Sequence, residues 1–206
     1  MTDKYADFDA LARNEVEGVD YRVVLRHGSP TFALVAPHGG GIEPGTSELA
    51  ATIARDRFSL YTFEGLKKSG NTSLHITSTR FDEASCVALV SQCETVVTVH
   101  GENRSATASK VFIGGRDESL AQRLEVAFAA RGFSVEQHAH AVLRGLDRRN
   151  LCNRGKSARG VQLELSRALR SQMFQSLSRA GRRHPTSTFF DFVDTVVSVL
   201  DASSSA

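Results

Sequence analysis

The run "TVVTVHG", residues 95–101, sets the tightest limit on the fold. Its β-branched residues lack the regular polar alternation of a half-exposed strand, so a strand built from them is covered on both faces. Such a strand sits inside a sheet with helices to either side, and the flanking segments supply both kinds of element. "YRVVLRHG" (21–28) and "TFALVAPH" (31–38) read as strands, and the Gly-Ser-Pro turn between them predicts a hairpin. A helix follows Gly45 and Thr46 as "SELAATIARDR", and "FSLYTFEG" (58–65) reads as a further strand. Residues 66–83 are polar and rich in Ser and Thr, more loop than element, and "ASCVALVSQC" reads as a short helix. "KVFIGG", "FSVEQH" and "GVQLELS" read as strands. "ESLAQRLEVAFAARG" places Leu120, Leu124 and Phe128 on one helical face with Gly132 as the cap, and "TFFDFVDTVVSVL" predicts a terminal helix.

This alternation predicts an α/β fold with a central sheet between helical layers, mixed rather than wholly parallel because of the opening hairpin. At 206 residues the chain is long enough for one domain with a sizeable core, and residues 1–206 are read as a single unit. About 1–17 and 202–206 are expected to be peripheral tails. No apolar run approaches the roughly 20 residues that a membrane helix needs. The acidic N-terminus lacks a basic segment followed by an apolar one, which predicts no secretory signal and synthesis in the cytoplasm. Cys86, Cys93 and Cys152 are odd in number and form no Cys-x-x-Cys pair, so they read as inert thiols in a reducing compartment.

In open α/β sheets ligands bind outside the carboxyl ends of the strands. There, "TFALVAP" ends in His38, followed by three glycines and, five residues on, Glu43. "TVVTV" ends in His100 and Gly101. In "GVQLELS" the period of two puts Gln162 and Glu164 on one side of a strand, opposite Val161, Leu163 and Leu165. A carboxylate on a buried strand face is costly unless paired or bound to a metal. If the strands are neighbours, His38, Glu43, His100 and Glu164 converge. Two histidines and a carboxylate with an open fourth position make a catalytic zinc site, and a spare glutamate can take a proton from the water that zinc activates. Taken singly, a strand-end histidine is more often a hydrogen-bonded structural residue, and His-x4-Glu recurs by chance. The conjunction favours the metal.

Charge is unevenly spread. Residues 144–183 hold eleven Lys and Arg against Asp147 and Glu164, or +9, while the whole chain is +2. Such a block suits a solvated face, nucleic acid or another polyanion.

The motifs "PHGGGIEPGTSEL", "SLYTFEGL", "SGNTSLHITSTRFDE", "VTVHG" and "NRGKSARGVQLELS" resemble the zinc-dependent poly-γ-glutamate hydrolase family of phages and bacteria, over about residues 18–195. The resemblance implies a fold similar to zinc carboxypeptidases and one Zn2+ per chain held by His38, Glu43 and His100. It also implies Glu164 as the general base that drives water onto a γ-glutamyl amide bond. The four residues between histidine and glutamate, two more than in carboxypeptidases, are shared with this family. The implied substrate is a polymer with one free carboxylate per residue, which gives the basic block a role as a binding groove. Arg154, just before the Glu164 strand, is the first candidate to hold a carboxylate, with Arg159 and Lys156 behind it. Most arginines beyond residue 166 read as surface charge. The resemblance keeps His75 and Asp82 near the site, with His75 supporting a ligand or the substrate through a hydrogen bond. The pair His138 and His140 lacks a third ligand and reads as exposed. His27 and His184 sit beside turn signals without evident partners.

Three functions compete on sequence alone. The first is the zinc hydrolase of poly-γ-glutamate, a monomer with no membrane or nucleic-acid partner, released to its polymer by phage lysis. The second keeps the zinc chemistry but cuts short γ-glutamyl peptides or N-acyl amino acids. The third is a nucleic-acid-binding replication-associated protein, disfavoured because aromatics do not interleave with the arginines and because it has no use for the four clustered residues.

Overall fold

Side chains that alternate along the strands feed two separate apolar layers, one on each face of a single sheet. The structure, a computed structural model, describes residues 3–103 and 107–204. Its strands are β1 (Tyr21–Arg26), β2 (Ser29–Gly40), β3 (Phe58–Gly65), β4 (Thr95–Glu102), β5 (Val111–Gly115), β6 (Val135–Glu136) and β7 (Val161–Ser166). They form one sheet in the order β1-β3-β2-β4-β7-β5-β6. The four inner strands β3, β2, β4 and β7 run parallel, β1 and β5 run antiparallel to their inner neighbours, and β6 is parallel to β5. The sheet is therefore mixed, as expected.

On one face Phe32, Leu34, Val97, Val99, Leu163 and Leu165 pack against the helices α2 (Thr46–Ala54), α4 (Glu118–Ala130) and α6 (Ser187–Ser204). Leu120, Leu124 and Phe128 are the buried residues of α4, as their spacing predicts, and Phe128 meets Phe192 of α6 at 4.7 Å between ring centres. On the other face Ala33, Val35, Tyr61, Phe63 and Val96 pack against α1 (Phe8–Ala12), α3 (Ala84–Gln92) and the segment carrying Leu74, Ile76 and Phe81. The three cysteines are buried and free, in line with the sequence reading. Among the described residues no helix is long and apolar enough to cross a membrane.

Two expectations fail. β1 and β2 do not form a hairpin, because β3 lies between them and pairs with both. The turn residues specify a reversal but not adjacency. β3 is covered along nearly its whole length and so belongs inside the sheet, while half-exposed β1 takes the edge. Nor is the N-terminal stretch peripheral. Tyr5 and Leu11 belong to the second apolar layer, and Asp7 caps α1 by accepting from Ala10 N. At the other end α6 continues through Ser204.

Candidate active site

Three neighbouring strands, β2, β4 and β7, deliver the candidate residues at or near their carboxyl ends. His100 and Glu164 are direct cross-strand partners, so their side chains share one face. That face is opposite the one on which Val97, Val99, Leu163 and Leu165 are packed, as the period of two requires. β2 reaches the same place through a register shift between Ala36 and Gly39, which re-aims His38. The chain then folds back: Glu43 N donates to His38 O at 2.8 Å, closing a six-residue turn that returns the carboxylate over the imidazole. This bond accounts for the four-residue gap. Gly40 has φ of +64°, and a Cβ there would lie 2.6 Å from Gly65 O, so the turn against β3 requires glycine.

His38, Glu43, His100 and Glu164 all line one cavity of about 350 Å³. His38 Nδ1 lies 3.2 Å from His100 Nδ1 and 3.2 Å from Glu43 Oε1, and His100 Nδ1 lies 3.7 Å from Glu43 Oε2. His38 Nε2 donates to Ile76 O at 2.8 Å, so in the neutral ring Nδ1 carries the lone pair. A lone pair thus faces a carboxylate oxygen across a buried gap, an arrangement that calls for a proton or a cation between them. Imidazole nitrogens with one carboxylate suit zinc in particular. Burial raises the Glu43 carboxyl, but the His38 and His100 rings outweigh it and hold it well below the usual carboxylate range. Glu43 Oε2 also accepts from Gly101 N at 2.8 Å, tying the loop to the end of β4.

Glu164 is shifted the other way. Burial and then the Glu43 carboxylate push it well above the usual range. Gln162 Nε2 donates to Glu164 Oε1 at 3.0 Å, and Asn150 Nδ2 donates to Gln162 Oε1 at 2.9 Å, so a fixed chain of amides orients the carboxyl.

His75 stacks on His38 with ring centres 4.0 Å apart and places Nε2 4.0 Å from Glu43 Oε1. Its Nδ1 donates to Asp3 Oδ1 at 2.7 Å. His38 and Glu43 can thus form a three-ligand set with His75 as well as with His100. His100 is the nearer to the Glu43 carboxylate, 3.7 Å against 4.0 Å for His75, and Ser78 Oγ lies 3.5 Å behind its Nε2. His38 also pushes the imidazole of His75 down to about 4, helped by burial.

The basic block does not stay together. Arg154 is half-buried, donates to Phe81 O at 2.7 Å and lines a separate depression beside the cavity. Asp82 lines the same depression and accepts from Phe8 N. Arg159 and Lys156 are exposed and lie at the amino end of β7, where Lys156 N donates to Cys93 O just before β4. That is the opposite end of the strands from Glu164, so Arg159 does not join the site. His138 is buried against Phe112, with ring centres 4.7 Å apart, and is not exposed. His140, His27 and His184 are exposed.

Two residues of the surroundings had no signal in the sequence. Arg170, on α5 (Arg167–Gln172), is fully buried rather than surface charge. It donates to Leu165 O, Pro44 O, Glu102 O and Asn103 Oδ1, clamping the segments next to Glu164, Glu43 and His100. Its guanidinium lies against Gly101, where a Cβ would approach within 2.6 Å, so the histidine needs glycine beside it. Asp3, seventy-two residues from His75, also accepts from Thr77 N at 2.8 Å and pairs with Arg80.

Comparison with known proteins agrees with this fold. Residues 5–195 match the poly-gamma-glutamate hydrolase family. The SPbeta prophage-derived protein YoqZ of Bacillus subtilis (strain 168) is 33% identical over 201 residues, covering 97% of this chain and 72% of that protein. YndL of the same organism is 35% identical over 204 residues, covering 96% and 78%. A bacteriophage poly-gamma-glutamate hydrolase superposes with a TM-score of 0.95 at 33% identity, over 99% of both chains. A zinc-free apo structure of YndL superposes with a TM-score of 0.90 at 34% identity, over 98% of this chain and 99% of that one. An N-formylglutamate amidohydrolase from Ralstonia eutropha JMP134 shares the fold at a TM-score of 0.56 and 11% identity, over 89% and 98%. The family match spans nearly the whole chain and takes in the strands and turn that carry His38, Glu43, His100 and Glu164: the chain belongs to the poly-gamma-glutamate hydrolase family.

Proposed function

We propose that this chain is a zinc-dependent hydrolase of the γ-glutamyl amide bonds of poly-γ-glutamate, with one zinc held by His38, Glu43 and His100. The observation that carries this reading is the convergence of His38 Nδ1, His100 Nδ1 and the Glu43 carboxylate within 3.2–3.7 Å at the ends of β2 and β4. His100 is preferred to His75 as third ligand because its Nδ1 comes within 3.2 Å of His38 Nδ1 and 3.7 Å of the Glu43 carboxylate, against 4.0 Å from His75 Nε2 to that carboxylate, and its ring is backed by Ser78. A zinc ion in that position supplies the Lewis acidity that activates water and polarises an amide carbonyl.

The protein residues do the rest. Glu164 accepts the proton that the attacking water gives up and returns it to the leaving nitrogen as the C–N bond breaks, leaving a new carboxylate and a free amine. Gln162 holds one of its carboxyl oxygens, so the other is available for proton transfer. Asp3 fixes the ring of His75 through Nδ1, which leaves Nε2 to bond the substrate. Arg154 meets a substrate carboxylate outside the cavity rather than within it. A monomer suffices, since all these groups come from one chain.

The test is incubation of zinc-loaded protein with poly-γ-glutamate, following chain length, for wild type and Glu164→Gln. The wild type should shorten the polymer. The variant should keep its zinc and lose roughly 10²–10⁴-fold in turnover, the usual contribution of general base catalysis. A variant that keeps most of its turnover would remove Glu164 as the base, and one that loses its zinc would make Glu164 a ligand.

A further inference from the structure

The cavity lies between two shallow basic depressions, reached from opposite ends of the segment 66–82. One, of about 560 Å³, is lined by Thr79, Arg80, Arg148, Arg149 and Arg154 among others, and Thr79 also lines the cavity. The other, of about 380 Å³, is lined by Lys67, Lys68, Arg179 and Arg182 among others. It meets the cavity along the glycine turn: Gly41 and Pro44 line the depression, while Ile42 and Glu43 line the cavity. Asn71 and Thr72 divide in the same way.

Each depression contains four cations, and in each two are matched by acids. Arg80 pairs with Asp3 and Arg149 with Asp147; Lys67 pairs with Glu15 and Arg182 with Glu48. Among the described residues Arg148 and Arg154 on one side, and Lys68 and Arg179 on the other, have no ion pair. Arg154 and Arg179 spend one donor each on a backbone carbonyl, of Phe81 and Leu66. The first depression is also lined by the carboxylates of Asp7 and Asp82, held by Ala10 N and Phe8 N, while no acid lines the second. Two cations without an ion pair therefore line the depression on each side of the cavity.

We propose that the two depressions form one track, in which a poly-γ-glutamate chain lies across the cavity. Carboxylates on one side of the scissile bond then contact Arg148 and Arg154, and carboxylates on the other side contact Lys68 and Arg179. This rests on the hydrolase reading above. Each exposed contact is weak and screened by salt, so holding the polymer is collective and both sides contribute.

The test measures binding apart from chemistry. Affinity of the zinc-free protein for a fluorescently labelled poly-γ-glutamate is read by anisotropy at low and at physiological salt. The proteins are wild type, R148Q/R154Q, K68Q/R179Q, and the control Arg123→Gln on α4, outside both depressions. Cleavage of the polymer by the zinc-loaded proteins is followed in parallel. Each double variant should weaken binding about tenfold at low salt, roughly threefold per contact, with a smaller loss as salt rises, and the control should bind as wild type. The lysine-retaining R148K/R154K should keep most of the affinity, which separates charge from packing. Loss confined to one double variant, or equal loss in the control, overturns the two-sided track. Wild-type protein that binds the polymer in this two-sided way yet cuts no γ-glutamyl bond sustains the track and sinks the hydrolase reading instead.

Discussion

The central parallel strands use similar residues at their two ends for different work. At the carboxyl ends of β2, β4 and β7, His38, Glu43, His100 and Glu164 are withdrawn from solvent and face one another across a cavity. At the amino ends, Lys156, Ser157 and Arg159 form a turn whose backbone is tied to the carbonyls of Cys93 and Glu94 while the basic side chains stand in solvent. Both stretches carry charge, and one motif, "NRGKSARGVQLELS", spans them both. A polar group marks chemistry when its burial is not repaid by ordinary partners, and adjacency in a motif is no substitute for that.

The comparison can be broken most sharply by Glu164→Gln, where turnover should fall by roughly 10²–10⁴-fold with zinc retained. Arg159→Ala, two residues before the same strand, should change polymer turnover by less than about twofold, as befits a solvated side chain. Equal effects at the two ends would dissolve the distinction.

Next in size is Arg170→Met. It leaves the carbonyls of Leu165, Pro44 and Glu102 without their donor and takes a positive charge from beside Glu43, Glu102 and Glu164. Stability should drop by roughly 3–5 kcal/mol, the usual consequence of leaving buried charge uncompensated. Zinc affinity should fall as well, because the clamp spans the segments that carry Glu43 and His100. Chemical denaturation and metal titration check both, and a variant as stable as wild type would make Arg170 a bystander.

Arg154→Ala is a smaller test. It should weaken polymer binding about threefold without changing zinc content.

The smallest effect concerns Asp3. Burial raises its carboxyl, but the Thr77 N–H and the His75 ring outweigh that and leave it lowered. A depressed folded-state pKa gives stability that is present above the unfolded value of about 3.9 and is lost as pH falls through the folded value. The melting temperature should therefore drop below about pH 4, and Asp3→Asn should flatten part of that slope while lowering stability at neutral pH. An unchanged slope would detach the N-terminal segment from His75.

Much of this was legible in the chain itself, for local reasons. The β-branched run before His100 announced an inner strand, and period two put Gln162 and Glu164 on one side of another. Leu120, Leu124 and Phe128 gave the buried stripe of α4. What escaped was decided by contacts distant in sequence. β3 enters between β1 and β2 because it is the more apolar strand, which no turn between them could announce. Asp3 reaches His75 across seventy-two residues, and Arg170 looks like any arginine of an exposed helix until Gly101 is seen beneath it. Of the eleven-cation block, one patch in sequence, eight members are divided by the fold among two depressions, the amino ends of the strands and the buried clamp.

The central claim is that the strand-end cluster is a zinc centre held by His38, Glu43 and His100, and metal content tests it most directly. Protein loaded with zinc, dialysed and analysed should hold one zinc per chain in the wild type and in Glu164→Gln, and far less in His38→Ala, Glu43→Gln and His100→Ala. Zinc retained in full by His100→Ala but lost in His75→Ala would contradict the account and move the third ligand to His75.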